Sequence, residues 1–185
     1  MNSRIILTIF LSMIFLASCK DKDAQTNTET STQTEAKVKD NIIITISAIV
    51  KKDDNFQIYY KDEETEGFTE EKSFYVELKG SESVQDIVFN LPENEFPNYL
   101  RLDFGINKEQ APIEIKNLKL SYFDKTVDIK GEDLFEYFYA NDSTLKVDKV
   151  KGIITPILAA DGGYDPMIAS ADGLRKQLEQ LVQQQ

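Results

Sequence analysis

The sequence predicts a mostly β protein: an antiparallel, jelly-roll-like β-sandwich with one or two short helices near its C-terminus. Three observations carry this expectation. From residue 41 onward apolar residues recur at every second position, the period of a strand with one buried face. The runs are short, recur at intervals of about a dozen residues, and are separated by Gly, Pro, Asn and Asp. No regular alternation of long helical segments with the strands is present, which argues for a sandwich over a wound α/β sheet.

The elements follow in order. Ile42, Ile44, Ile46, Ala48 and Val50 share one face. Phe56, Ile58 and Tyr60 come after an Asp53-Asp54-Asn55 turn. Phe74, Val76 and Leu78 run up to Gly80, and Ile87, Phe89 and Leu91 stop at Pro92. Leu100, Leu102 and Phe104 end at Gly105. Between Ile113 and Tyr122 the alternation slips at Asn117, which predicts a β-bulge. Val127 and Ile129 suggest another short strand. Residues 131–140 read as a helix, with Leu134/Phe138 and Phe135/Tyr139 paired at i,i+4. Leu145, Val147, Ile153, Ile154 and Ile157 suggest one or two further strands. Ser170 fits the cap of a last helix, on which Leu174, Leu178, Leu181 and Val182 form an apolar stripe suited to packing on the protein's own core.

Ahead of this domain the chain has a different character. Residues 1–4 are a short positive region, and Ile5 to Leu16 are almost unbroken apolar sequence. That run is too short for a bilayer core, which needs roughly 20 helical residues. It ends in Leu16-Ala17-Ser18-Cys19, which resembles the lipobox of bacterial lipoproteins at every position. The resemblance implies a signal peptide over residues 1–18, cleavage before Cys19, and acylation of that cysteine. Cys19 is the only cysteine in the chain, so an intramolecular disulfide is excluded. Burying acyl methylenes is worth ~0.8 kcal/mol each, so two or three chains anchor a protein to a membrane without a spanning helix.

Residues 19–40 read as a lipidated, flexible linker, polar and threonine-rich, with no large apolar residue before Val38. Residues 41–185 are the β-sandwich domain. Lys20, not aspartate, follows Cys19, which favours an outer-membrane address. The stretch Lys20-Asp21-Lys22-Asp23 resembles the surface-export signals of Bacteroidetes lipoproteins and leaves surface exposure open. Asp142-Ser143-Thr144 resembles the O-glycosylation site of exported proteins in the same phylum.

Charge and composition narrow the chemistry. Removing Arg4 with the leader leaves 20 basic against 32 acidic side chains, a net charge of −12. That balance disfavours nucleic acid and repels anionic lipid surfaces. The chain has no histidine, hence neither the commonest general base nor the commonest transition-metal ligand. Neighbouring acids such as Asp53-Asp54, Glu63-Glu64, Glu70-Glu71 and Glu132-Asp133 point to opposite faces in extended chain, unlike the facing carboxyls of a glycosidase. Serine nucleophile motifs and phosphate-binding glycine loops are missing. No catalytic residues are assigned, and the chain reads as a non-enzyme. No cofactor is implied, except that Asp161 and Asp165 flank a Gly-Gly-Tyr turn that could bend around calcium.

The segment Phe56-Gln57-Ile58-Tyr59-Tyr60 precedes Gly67-Phe68-Thr69-Glu70-Glu71-Lys72-Ser73, and Leu100-Arg101-Leu102-Asp103 and Lys116-Asn117-Leu118-Lys119-Leu120 follow. Over residues 42 to about 122 this succession resembles a small β-sandwich module attached to bacterial polytopic membrane proteins and glycosyltransferases of surface-polysaccharide pathways. Here the transferase portion is missing, so the resemblance implies the fold and a carbohydrate-facing role, and no catalysis. Tyr59 and Phe68 are the candidate sugar-stacking residues, with Gln57 as a neighbouring polar contact. Three readings stand: an envelope lipoprotein binding glycan or a glycan-assembly partner; an accessory lipoprotein that recognises an envelope protein and has no sugar site; and, behind both, an unrecognised hydrolase.

Overall fold

The computed structural model describes residues 40–183; the expected leader, Cys19 and all but the last residue of the linker lie outside them. The described strands are β1 (Ile43–Ile49), β2 (Asp54–Lys61), β3 (Ser73–Leu78), β4 (Gln85–Asn90), β5 (Tyr99–Asp103), β6 (Ile113–Tyr122), β7 (Lys125–Lys130), β8 (Phe138–Ala140), β9 (Leu145–Asp148), β10 (Ile153–Pro156) and β11 (Met167–Ser170). Two helices accompany them, the single turn α1 (Leu134–Tyr137) and α2 (Asp172–Gln183).

The strands form two antiparallel sheets. One has the order β4-β1-β6-β10-β9, with β7 also paired to β6; the other has the order β3-β2-β5-β11-β8. Alternation explains how they meet. Ile42, Ile44, Ile46, Ala48 and Val50 of the first sheet are almost wholly buried, as are Phe56, Ile58, Leu100 and Leu102 of the second, and together they form one core. Phe56 and Phe104 meet edge to face in it, with ring centroids 5.3 Å apart.

The slip expected at Asn117 is present. Ser47 pairs with Asn117 but Ala48 pairs with Ile115, so one residue of β6 is extra and the strand bends there. The bend lets β6 take two partners along one edge, β10 at Ile113–Glu114 and β7 from Asn117 to Tyr122. Where they change over, Gly152 lies at φ +64°, and a Cβ there would sit 2.6 Å from the carbonyl carbon of Gly131 and 2.8 Å from the Ile115 oxygen. Only glycine fits that crossing.

Two expectations for the C-terminal third need correction. The helix expected over 131–140 shrinks to a 3₁₀ turn at Gly131–Asp133 and the four residues of α1, and Phe138 already belongs to β8. The i,i+4 spacing of Leu134 and Phe138 is real, but pairing of β8 with β11 supplies the hydrogen bonds a longer helix would have made. The strand β11 itself was not foreseen. Ser170 is its last residue and caps nothing: its Oγ accepts from the Leu100 backbone N–H at 3.0 Å in the core. Helix α2 behaves as expected, with Leu174, Leu178 and Leu181 buried against the core.

Candidate functional site

Cross-strand register builds the site on the outer face of the second sheet. One row runs Tyr75, Gln57, Asp103, Met167; the next runs Ser73, Tyr59, Arg101, Ala169, Tyr139. These residues face outward because Phe56, Ile58, Leu100 and Leu102, one position away, face the core.

A loop then folds back over the rows. Between β2 and β3 the chain turns through residues 62–72, and its 3₁₀ turn Glu70–Lys72 places the Glu70 carboxylate above the sheet. Glu70 accepts from the Tyr59 hydroxyl at 2.6 Å, the Gln57 amide at 2.9 Å and the Tyr75 hydroxyl at 3.2 Å. Gln57 donates also to the Ser73 hydroxyl. Those donors, Tyr59 first, hold the Glu70 carboxyl below its ordinary range. Phe68 packs its ring edge against Tyr59, centroids 6.4 Å apart, and the Lys61 ammonium sits 4.9 Å from the Phe68 centroid.

On the other side, the Arg101 guanidinium lies 5.0 Å over the Tyr59 ring. It forks onto Asp103 with two 2.7 Å bonds and reaches Asp165 at 2.8 Å. Burial pushes the Asp103 carboxyl up despite the opposing pull of Arg101. The Tyr59 hydroxyl is also raised, chiefly by burial and then by its bond to Glu70.

The three sequence candidates are therefore brought together, but not as an open platform. Tyr59 is only 8% exposed and Gln57 6%, with their polar atoms engaged by neighbours, while the Phe68 ring is half-buried. The exposed aromatic rings of this face are Tyr75 and Tyr139, at 57% and 58%, on its two flanking strands. Neither was a sequence candidate. Tyr139 was hidden by the overlong helix; Arg101 and Asp103 stand two apart in a strand, a spacing that itself puts both on one face.

Asp161 and Asp165 each have a partner within the fold. The Asp161 carboxylate accepts from the Gly163 N–H within its own turn, whereas Asp165 is paired with Arg101. Among the described residues no group of three or more acidic, cysteine or histidine side chains is placed to hold a metal ion, and no helix is long and apolar enough to cross a membrane.

Surface depressions lie elsewhere. One of about 470 Å³ is bordered by Asp53, Asp54 and Lys79, and another of about 390 Å³ lies beside Gly131 and Lys151. Asp53 and Asp54 are occupied by the fold: Asp53 accepts from the Lys79 ammonium and the Gly80 N–H. Asp54 Oδ1 accepts from the backbone N–H groups of Asn55, Ile106 and Asn107, and Oδ2 accepts from Gln110. Gly105, at φ +92°, makes room for that carboxylate, since a Cβ would fall 2.2 Å from it. The chain matches no protein-family model, no curated protein and no solved structure.

Proposed function

We propose that this protein is a lipid-anchored, non-catalytic component of a bacterial envelope that recognises another protein through the outer face of the β2–β5 sheet. One observation carries the reading: Tyr59 and Gln57, the residues best suited to hold a sugar, are covered and engaged by Glu70, Arg101 and Phe68, while two tyrosines stand exposed on either flank of an ion-paired arginine. Rigid tyrosines around a fixed arginine are the side chains that concentrate binding energy in protein interfaces. The network also lowers the entropic cost of binding, because the face is ordered before a partner arrives. The sequence resemblance to a module of surface-polysaccharide enzymes favours a partner from glycan assembly, and the lipobox-like segment at Cys19 favours an outer-membrane anchor.

Direct glycan binding is the second reading. It is favoured by the half-exposed Phe68 ring beside the polar atoms of Glu70, a small pairing of apolar face and hydrogen-bond acceptor. Co-purification from detergent-solubilised membranes separates the two. Tyr139→Ala is expected to leave the folding midpoint unchanged and Tyr75→Ala, which removes one donor to Glu70, to lower it slightly; both are expected to remove the same protein from the co-purifying set. Loss of polysaccharide instead, with Phe68→Ala the most affected variant, supports the glycan reading and overturns the first.

A further inference from the structure

The end of the sandwich where the chain joins it carries an aromatic pair that the outer-face reading does not use. Asp40, the first described residue, is bonded by the loop between β4 and β5 and by the last residue of β6 before the loop to β7. The Tyr122 hydroxyl donates to its carboxylate at 2.6 Å, and the Asn94 N–H donates to its carbonyl at 2.9 Å. Each loop holds a partly exposed phenylalanine: Phe96, 37% exposed, between β4 and β5, and Phe123, 44% exposed, at the tip of the β6–β7 hairpin. Both rings lean on Tyr122, edge to face, with centroids 5.5 and 4.6 Å away.

Phe123 is an unusual residue for its position. It sits at φ +51°, in the left-handed region that Asn or Gly fills in tight hairpins. A side chain there meets its own carbonyl oxygen and is strained, and at 44% exposure the ring adds little to the core. Backbone strain of this kind clusters at binding sites and ligand clamps.

We infer that this pole rests on the lipid bilayer, with Phe96 and Phe123 seated in the interfacial region of the membrane that holds the anchor. The inference rests on the reading of Cys19 as the acylated residue. Twenty residues, Lys20 to Lys39, separate that cysteine from Asp40, a span of at most about 70 Å. A tether of this length holds the pole near the surface at an effective concentration in the millimolar range, so two modest aromatic contacts suffice to populate the seated state. Phenylalanine rings supply the apolar area that membrane-surface segments bury at the boundary between headgroups and acyl chains. Asp124 and Glu93 are exposed on the same loops, so zwitterionic headgroups suit the pole better than anionic ones.

The protein has no tryptophan, which makes the test direct. Full-length protein isolated from membranes carries Phe123→Trp, Phe96→Trp or, at the opposite pole, Val150→Trp. It is reconstituted in phosphatidylcholine vesicles with brominated acyl chains. F123W and F96W fluorescence is expected to be quenched about twofold or more relative to unbrominated vesicles, that of V150W to be unaffected, and added phosphatidylglycerol to reduce the effect. Equal quenching at both poles, quenching at neither, or a signal that follows protein density and not bromine overturns the inference; the last points to a second copy of the chain. Should the protein fail to stay with vesicles, acylation at Cys19 is refuted separately. The same quenching is then read on protein coupled through Cys19 to a maleimide lipid.

Discussion

The Tyr59 hydroxyl donates to the Glu70 carboxylate across 2.6 Å, tying the loop between β2 and β3 to the outer face of its own sheet. Glu70 is held below its ordinary value of 4.5, so its contribution is complete above that value and is lost as pH falls through the lower, folded one. Glu70→Gln keeps an acceptor oxygen and removes the charge. The urea midpoint of the wild type is expected to exceed that of the variant at neutral pH, with the gap closing progressively below pH 4.5. A gap that does not change with pH would mean that the ionised carboxylate is not what holds the loop.

Burial separates the two aromatic candidates. Tyr59→Ala removes a ring that is 8% exposed and strands Glu70 without its shortest donor, so it is expected to cost about 3–5 kcal/mol of folding free energy. Phe68→Ala trims a half-buried loop ring and is expected to cost about 1 kcal/mol. Denaturant titration of both variants reads the difference; equal, small losses would place Tyr59 on an open surface.

The crossing of β6, β7 and β10 leaves no room for a side chain at Gly152. Gly152→Ala combines a left-handed backbone with close approach to the Gly131 and Ile115 carbonyl groups, and is expected to cost ~2–3 kcal/mol. Gly67→Ala, with nothing within 4 Å of the new carbon, serves as the neutral comparison. Thermal unfolding of the pair gives the result.

Cys19→Ser removes the thiol on which the lipobox-like segment acts. The variant is expected to accumulate uncleaved, or to be released from the membrane, and to incorporate no labelled fatty acid. Normal processing with retention in the detergent phase would refute the anchor.

Most of the first sheet could be read from the sequence, because its strands are long enough for alternation to fix both type and facing. Even the slip at Asn117 announced its bulge. The C-terminal third was less legible. Phe138, Tyr139 and Ala140 become a strand only because β11 lies beside them, and that partner is four residues with no alternation, placed just after Pro166. Ser170 looked like a helix cap because its true partner, the Leu100 N–H, is 70 residues away. At the candidate site, period-two reasoning put Gln57 and Tyr59 on the outer face. It could not show that residues 62–72 fold back across them, since that depends on Glu70 finding side-chain donors on both β2 and β3.

The central claim, recognition of a protein through the outer face of the β2–β5 sheet, is tested most directly by site-specific photocrosslinking in intact cells. A benzophenone side chain replaces Tyr139, or Val88 on the opposite sheet, both of them exposed. The account predicts a discrete protein adduct from position 139 that Tyr75→Ala weakens and that position 88 does not give. Equal adducts from both positions, or adducts with polysaccharide alone, would contradict it.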